Sequence, residues 1–351
     1  MRIVGAASAF PKYHYNQMEL AGAFLAYWGD RLPEPRKLEL LHSNVGVRGR
    51  YLSLPIEEYP TLKFGEANNA WIRTAVELGE QAIPKAIAQA GIDKDQIGAF
   101  FFVSVTGIAS PSVDALLINK LRLSTEMRRV PIFGLGCVAG ASGIAMAADY
   151  VRAYPDKCAL LLSVELCSLT LQHDDVSVAN LISTGLFGDG AVAVIVAGDK
   201  VQDKCGHAGP DIIATQPTFY PDTEDVMGWD ISETGFQIVL SPQVPDVIAS
   251  HVGGDLDRLL GKNGLTRADI GCWMLHTGGP KILRATAQAL GVPETAMWAS
   301  WECLSEMGNL SSSSVLMVLE KTMAKRPAPG TWAVLAAMGP AFCSELVLMR
   351  W

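Results

Sequence analysis

Apolar residues along the chain follow two patterns, and each predicts a different kind of element. Continuous apolar runs predict strands that helices cover on both faces, as in parallel α/β sheets. The main runs of this kind are 100–105, 159–164, 191–196, 273–276 and 332–338. We therefore expect a sheet, or a pair of sheets, that is buried on both sides.

Apolar residues at helical spacing predict amphipathic helices at 71–90, 244–260 and 280–290. The segments 138–150 and 312–319 are almost entirely apolar, so we expect these two helices to be buried on all sides. Buried sheets and fully buried helices together indicate an α/β fold of five layers, αβαβα, with the apolar helices in the middle.

The chain contains two weak copies of one unit, roughly 173 residues apart. Residues 90–98 read AGIDKDQIG and residues 263–271 read NGLTRADIG, and each stretch leads into an apolar run. Farther along, Cys137 and Asn309 each follow a glycine at the start of a predicted apolar helix. The duplicated unit is therefore helix, turn, strand, glycine turn, helix, strand.

A chain of 351 residues is long enough for two such halves, which we place at 1–200 and 201–351. The stretch 198–234, richer in Gly, Pro and charge, is the expected bridge between them. A net charge of −8 excludes the broad basic surface that nucleic-acid binding needs.

No apolar run approaches the roughly 18 residues that a membrane span needs, and residues 1–11 have no signal-peptide core. We therefore expect a cytoplasmic protein. The seven cysteines form no CxxC pair and the six histidines do not cluster at ligand spacing, so we expect no metal.

Three polar side chains lie where a predicted helix begins or a predicted strand ends in the two copies. Cys137 lies between Gly136 and Gly140 at a helix start, where the dipole favours a thiolate and lowers the pKa of the thiol. His276 ends an apolar strand beside a Gly-Gly turn, where it can activate the thiol. Asn309 either caps its helix or donates to a developing oxyanion. We interpret the other histidines as surface or structural residues: His14, His42, His173, His207 and His251.

The glycines around Cys137 also fit a second pattern. Gly134-x-Gly136-x-x-x-Gly140 is similar to a dinucleotide-binding turn, with Glu165 farther on. Such a turn follows the first strand of a βαβ unit, whereas this one lies in the middle of the chain. The Cys137 side chain would also project where a pyrophosphate rests, so we favour a nucleophilic thiol over an oxidoreductase.

Five ordered motifs resemble those of the type III polyketide synthases, relatives of chalcone synthase in the thiolase superfamily. They read GLGCVAG at 134–140, LFGDGA at 186–191, HTGGP at 276–280, MGNLSS at 307–312 and MGPAF at 338–342. Residues 163–171, 227–230 and the C-terminal GPAFCSEL look like the bacterial alkylpyrone and alkylresorcinol synthases. The resemblance covers essentially the whole chain and implies the thiolase-like fold of two pseudo-duplicated halves.

The resemblance implies an acyltransferase that uses CoA thioesters as substrates and needs no cofactor. Cys137 would hold a starter, which we expect to be a fatty acyl group from acyl-CoA. Malonyl-CoA would lose CO₂, and neutral His276 and Asn309 would donate hydrogen bonds to the enolate oxygen. Repeated Claisen condensations would follow, and the chain would close to an alkylpyrone or an alkylresorcinol. No carboxylate base is offered within these motifs.

The resemblance also implies a substrate tunnel. Phe187 matches the first of two phenylalanines that guard it, and the second position is Ile238 here. Trp229 stands where the plant enzymes have glycine, so we expect it to narrow the cavity, while Cys167 and Val105 leave room for an alkyl tail. The other residues implied to bind substrate are Thr170, Met227, Ser312, Gly339 and Pro340.

CoA carries several negative charges, so an acidic protein must meet it with a local basic patch. The resemblance places Lys37 at one of three basic positions of the plant enzymes, and the other two are Leu40 and Asn44 here. Further CoA-binding candidates are Arg36, Arg48, Gly278 and Lys281, although Arg48 is equally compatible with a structural role. The resemblance implies a homodimer, and we expect neither nucleic acid nor membrane as a partner.

Two alternatives share the thiolase-like fold. A ketoacyl-carrier-protein synthase III has the same three residue types but condenses once, onto a carrier protein; Phe187 and the loop with Gly339 and Pro340 favour the iterative enzyme. A scaffold without activity predicts the loss of Cys137, His276 or Asn309, and all three are present.

Overall fold

The computed structural model describes residues 1–206 and 209–351, so His207 lies outside the described residues. The strands are β1 (Arg2–Ala9), β2 (Tyr13–Asn16), β3 (Gly49–Leu52), β4 (Ile97–Val103), β5 (Arg128–Ile132), β6 (Cys158–Leu166), β7 (Asp189–Ala197), β8 (Asp211–Phe219), β9 (Met227–Ser232), β10 (Gly235–Leu240), β11 (Ile270–Leu275), β12 (Trp332–Gly339) and β13 (Cys343–Arg350). The α-helices are α1 (Gln17–Trp28), α2 (Pro35–Asn44), α3 (Phe64–Ala90), α4 (Val113–Leu121), α5 (Ala139–Ala153), α6 (Val178–Leu186), α7 (Val244–Lys262), α8 (Pro280–Leu290), α9 (Trp298–Met307) and α10 (Ser312–Lys325).

Two half-sheets form one sheet of nine strands in the order β11-β12-β13-β8-β1-β7-β6-β4-β5. The strands from β5 to β1 come from the first part of the chain, and those from β8 to β11 come from the second. The half-sheets join where Arg2 of β1 pairs with Asp211 of β8. The two side chains also form an ion pair, with 2.9 Å between Arg2 Nε and Asp211 Oδ1.

The elements stack in five layers, which confirms the predicted fold class. Helices α5 and α10 lie between the half-sheets, while α3 and α4 cover one outer face and α7 and α8 cover the other. Strand residues alternate between layers: Leu160 and Leu162 pack outward against α3, and Ala159 and Leu161 pack inward against α5 and α10. Apolar residues therefore run continuously along these strands because both faces are buried. No helix in the described ranges is long and apolar enough to span a membrane.

The predicted repeat is visible in the structure. Helix α3 leads through a turn into β4, and α7 leads through a turn into β11. Each turn is a short 3₁₀ segment closed by the same reciprocal side-chain cap, formed by Asp93 with Gln96 in one copy and by Thr266 with Asp269 in the other. The repeated sequence therefore encodes the same local turn in both copies.

The predicted bridge at 198–234 needs a correction. It contains β8, which is an interior strand of the sheet, and β9. Strand β8 has no continuous apolar run, because buried residues such as Ile212 and Gln216 are interspersed with exposed ones such as Ile213 and Pro217. A strand with this mixed pattern does not stand out from a polar connection.

The two central helices touch near their first turns. A Cβ atom at Gly140 of α5 would lie 2.2 Å from the carbonyl oxygen of Ser312 in α10, so only glycine permits this approach. The contact brings the segments that precede both helices to the same end of the central layer.

Shortening a side chain in the central layer should destabilise the whole molecule. Leu316 of α10 is fully buried in the core that α5 and α10 share with both half-sheets. We expect Leu316→Ala to lower the free energy of unfolding by about 2–5 kcal/mol, because the lost contacts leave a cavity. The matched control is Leu40→Ala on α2, where the side chain is 60% exposed and we expect a change within about 0.5 kcal/mol. Denaturant unfolding checks both values, and equal losses would contradict the layer assignment.

Candidate active site

Cys137 is buried at the point where a tight turn enters α5. It lies in the 3₁₀ turn Gly136–Val138, two residues before the helix begins. The side chain is 6% exposed, and the thiol donates to Ser311 Oγ at 3.5 Å. Burial raises the pKa of the Cys137 thiol to about 12, which opposes the lowering predicted from the helix start alone. The thiol of the free protein is therefore protonated, and its attack on a substrate needs a base.

Asn309 lies in the turn between α9 and α10, three residues before α10 begins. Its side-chain oxygen accepts hydrogen bonds from the Ser311 backbone N–H at 2.8 Å and from the Ser314 hydroxyl at 3.2 Å. Because both bonds use the oxygen, the amide nitrogen stays available as a donor. The two roles considered for Asn309 are thus compatible, since the oxygen caps the turn and the nitrogen can donate to a substrate.

The turn that carries Asn309 depends on Gly308. Its φ of +74° lies in the region that favours glycine, and an added Cβ would lie 2.5 Å from the Leu186 carbonyl oxygen. The same carbonyl accepts the Asn309 N–H at 2.9 Å. Ser311, which accepts the Cys137 hydrogen bond, has a φ of +46°, an uncommon value for a residue with a side chain.

His276 follows the last residue of β11 and lies at the same end of the sheet. Its backbone N–H donates to Ala336 of β12 at 3.0 Å, and β12 packs against the Cys137 turn. The ring is buried, and Nδ1 has no hydrogen-bond partner in the described part of the chain. Burial lowers the pKa of His276 to about 4, so the imidazole is neutral near pH 7. A neutral imidazole can accept a proton at one nitrogen and donate from the other.

A carboxyl group from outside the five motifs, Glu165 on β6, is also buried beside the thiol. It accepts hydrogen bonds from the Val105 N–H at 3.1 Å and the Thr106 hydroxyl at 3.0 Å, and also from the Ser312 hydroxyl. Burial raises the pKa of Glu165 to about 7, and its negative charge contributes to the raised pKa of Cys137. The signal in the sequence was a single acidic residue inside an otherwise apolar strand.

A cavity adjoins this site. Five residues predicted to bind substrate line it: Cys167, Thr170, Phe187, Trp229 and Ile238. Trp229 and Ile238 stand opposite each other on the hairpin of β9 and β10. Phe187 connects the cavity to the turn that carries Asn309, because the backbones of the two residues form a bridge.

Helix α1 contributes a wall of the cavity that the motifs did not predict. Ala23, Phe24 and Tyr27 of this helix line the cavity together with Tyr59 and Ser168. Apart from Ser168, which lies in the stretch 163–171, none of these residues belongs to a motif, and α1 lies more than 100 positions before Cys137. Only the packing of α1 against the rest of the chain brings it to the site.

The other residues predicted to bind substrate do not line this cavity. Val105 and Ser312 are held by Glu165, as described above, and Met227 pairs with Leu240 at one end of the β9–β10 hairpin. Pro340 packs on Gly136, and Gly339 contacts the backbone of the same turn. Gly339 and Pro340 therefore support the Cys137 turn from outside the cavity.

A second cleft contains two of the predicted CoA-binding residues. Gly278 and Lys281 line it with Asn44, and helices α6, α7 and α8 all begin at its wall. Arg36 and Lys37 are exposed on the first turn of α2 and do not line the described cleft. Arg48 donates to Ser305 Oγ at 2.8 Å and lies 4.0 Å from Glu306, which favours its structural role.

Residues 2–200 match the family model described as the N-terminal domain of chalcone and stilbene synthases, and residues 211–351 match that of the C-terminal domain. A 1,3,6,8-tetrahydroxynaphthalene synthase of Streptomyces peucetius subsp. caesius is 45% identical over 99% of this chain and 93% of the relative. A phloroglucinol synthase of Pseudomonas fluorescens is 32% identical over 97% of each chain.

The crystal structure of the 1,3,6,8-tetrahydroxynaphthalene synthase from Streptomyces coelicolor A3(2), a bacterial type III polyketide synthase, has the same fold. The TM-score is 0.94 at 30% identity, with 100% of this chain and 99% of that chain covered. The buried thiol, the neutral imidazole and the oriented amide stand in the order that the motifs of these synthases imply. The chain therefore belongs to the chalcone and stilbene synthase family and is a type III polyketide synthase.

Proposed function

We propose that this polyketide synthase assembles a poly-β-ketone chain from malonyl-CoA on Cys137 and closes it to a polyhydroxylated aromatic product. The observation that carries the condensing chemistry is the orientation of Asn309, whose oxygen is occupied by Ser311 and Ser314 so that its nitrogen is left to donate. Neutral His276 supplies a second donor at the same end of the sheet.

The first step loads an acyl group onto the thiol. Cys137 attacks the thioester carbonyl of the CoA substrate while His276 accepts the thiol proton, and CoA leaves as its thiol after taking that proton. The raised pKa of Cys137 and the lowered pKa of His276 make both groups neutral before the reaction. Charge therefore arises only when substrate is present.

The second step makes a carbon nucleophile from malonyl-CoA. Loss of CO₂ leaves a thioester enolate, and its oxygen accepts hydrogen bonds from His276 and from the Asn309 amide. The enolate carbon attacks the acyl group on Cys137, and the thiolate is released for the next round. Donors that are already oriented in a buried site need no reorganisation when the charge develops, which is why they stabilise it better than water.

The relatives and the cavity lining support a small, oxygen-rich product. Tetrahydroxynaphthalene has ten ring carbons with oxygens at alternate positions of each ring, the pattern expected from five two-carbon units without an alkyl tail. The most similar of the relatives compared above is named for that product. Residues that carry hydroxyl groups stand among the apolar residues of the cavity lining, including Tyr27, Tyr59, Ser168 and Thr170, and Trp229 lines it from the β9–β10 hairpin. Such a lining suits a chain with an oxygen on every second carbon.

A fatty acyl starter with an alkylpyrone or alkylresorcinol product is the second candidate. The observation that favours it is a set of apolar side chains in the same cavity: Phe24, Leu52, Ile56 and Leu171. An alkyl tail would pack against these residues, and its burial would be favourable by roughly 0.8 kcal/mol per CH₂ group.

The homodimer implied by the resemblance stays a prediction, supported by the exposed edge of the sheet. Strand β5 lies at that edge with its outer side unpaired, and the next residue, Phe133, is 49% exposed. An open edge beside an apolar side chain is a template for pairing with a second copy.

The purified protein should convert malonyl-CoA alone into an aromatic product of ten carbons. The measurement is mass spectrometry of reactions that contain malonyl-CoA with no starter, and with acyl-CoA starters from short to long. Products that form only with long starters would replace the main proposal with the alkylpyrone or alkylresorcinol synthase. A single β-ketoacyl product that needs carrier protein would indicate a ketoacyl synthase.

The control for this experiment is Cys137→Ala. We expect it to yield no condensation product, while the release of CO₂ from malonyl-CoA stays detectable, because the enolate donors His276 and Asn309 are intact. Loss of both activities in a folded variant would contradict the separate roles of the thiol and the donors.

Removing the Asn309 amide should slow decarboxylation. We expect Asn309→Ala to lower the rate of CO₂ release from malonyl-CoA by roughly 10²–10³-fold, because one oxyanion donor is lost. The matched control is Asn263→Ala at the end of α7, whose amide bonds only the Leu259 carbonyl. An Asn309→Ala variant with the control's rate would restrict Asn309 to its capping role.

Starter loading should stay active well below the usual pKa of histidine. His276 must be neutral to take the thiol proton, and burial lowers its pKa to about 4, so the neutral fraction stays high from pH 7 down to about pH 5. We expect the rate of acyl-enzyme formation, followed by mass spectrometry of the intact protein, to show no titration near pH 6.5. An acid limb centred near pH 6.5 would mean that a solvated histidine controls loading.

A further inference from the structure

We propose that Tyr27 and His173 form an acid–base pair that promotes carbon–carbon ring closure of the finished polyketide chain. The inference rests on the proposed function, because it assigns a later step of the same reaction. Tyr27 lines the cavity beside the active site, and His173 lines the cavity that adjoins it. The two cavities share Tyr59, Ser168, Thr170 and Leu171 in their walls.

The hydrogen bonds of His173 assign the direction of proton movement. Its Nε2 lies 2.8 Å from the Leu62 carbonyl oxygen, which can only accept, so Nε2 carries a hydrogen. In the neutral ring Nδ1 is then the acceptor, and the Tyr27 hydroxyl at 2.7 Å donates to it. The lone pairs of the Tyr27 oxygen are left to accept a proton from a molecule in the cavity.

The end of α1 holds this pair in place. Trp28 donates from Nε1 to the His173 carbonyl oxygen at 2.9 Å, and Arg31 donates to the same oxygen at 3.2 Å. The Arg31 guanidinium also lies over the Tyr27 ring, 4.8 Å from its centre. A cation at this face stabilises negative charge that develops on the phenol.

The other hydroxyls of the cavity are less suited to this role. The Tyr59 hydroxyl accepts from the Leu54 N–H and lies 2.6 Å from Ser168 Oγ. Burial raises the pKa of Asp189, to which Ser168 donates. The Asp189 oxygens also accept from the Ser53 N–H, the Ser53 hydroxyl and the Ser168 N–H, so this carboxylate is committed to four hydrogen bonds within the fold. The hydroxyls of Thr170, Ser183 and Thr184 each donate to a backbone carbonyl. Among the hydroxyls that line the cavity, that of Tyr27 donates its hydrogen bond to an imidazole.

The proposed step is balanced in protons. A CH₂ group between two ketones of the chain gives a proton to the Tyr27 oxygen, while the Tyr27 proton passes to His173 Nδ1. The carbanion attacks a ketone of the same chain, and the new carbon–carbon bond leaves an alkoxide. The alkoxide takes a proton from Tyr27, which recovers its own from His173, and later loss of water gives the aromatic ring. A lactone forms instead when an enol oxygen attacks the thioester, a route that needs no carbon nucleophile.

The test compares product ratios rather than overall activity. Wild-type protein, Tyr27→Phe and His173→Gln react with malonyl-CoA, and free CoA and all products are quantified by chromatography and mass spectrometry. Because Tyr27 also lines the cavity, products are compared at equal amounts of released CoA, so that a change in chain extension does not enter the ratio. The ratio of carbocyclic to lactone products should fall roughly tenfold or more, a modest part of what general acid–base catalysis contributes.

The control variant is Tyr51→Phe, because Tyr51 stacks on Phe10, 4.6 Å between ring centres, and does not line the described cavities. It should leave both CoA release and the product ratio unchanged. Wild-type ratios in Tyr27→Phe and His173→Gln would overturn the proposal. Parallel loss of CoA release and product at a constant ratio, with a lower melting temperature, would overturn it as well and assign the pair a structural role. Absence of CoA release from the wild type would instead contradict the proposed function.

Discussion

The active site depends on the close contact between α5 and α10 at Gly140 and the Ser312 carbonyl oxygen. Both helices are buried between two half-sheets, so neither can shift without opening the central core. Cys137 precedes one helix, and Asn309 and Ser311 precede the other. The contact of the two helices therefore sets the thiol beside the residues that orient the amide. A side chain larger than hydrogen at Gly140 would separate them.

Burial also decides the charge state of the site. It raises the pKa of Cys137 and of Glu165 and lowers the pKa of His276, in each case towards the neutral form. Neutral groups cost less to bury than charged ones, so the fold can place them together in a dry pocket. In the proposed reaction, the Asn309 amide N–H donates to negative charge that appears only when substrate is present. Stability and chemistry thus favour the same protonation states.

The cavity wall and the turns that carry Cys137 and Asn309 come from different parts of the fold. The turns are anchored to the nine-stranded sheet and to the central helices. Most of the cavity wall comes instead from α1, from α6, from residues 50–60 and 167–171, and from the separate hairpin of β9 and β10. Segments of this kind can change shape without disturbing the core. The residues proposed to condense malonyl units and those proposed to set the size and closure of the product therefore occupy separate parts of the fold.

The sequence by itself determined the layers, the repeat and the three catalytic residue types, because each depends on local periodicity or on adjacent residues. Helix α8 begins and ends where the apolar spacing predicts. Strand β8 was not predicted, because its buried residues do not form a continuous apolar run. Tertiary structure alone decided the rest. Tyr27 and His173 are 146 positions apart and meet only through packing, and the pKa of Cys137 rises because desolvation outweighs the helix start. A helix start is a local feature that the sequence carries, whereas burial is a property of the assembled chain.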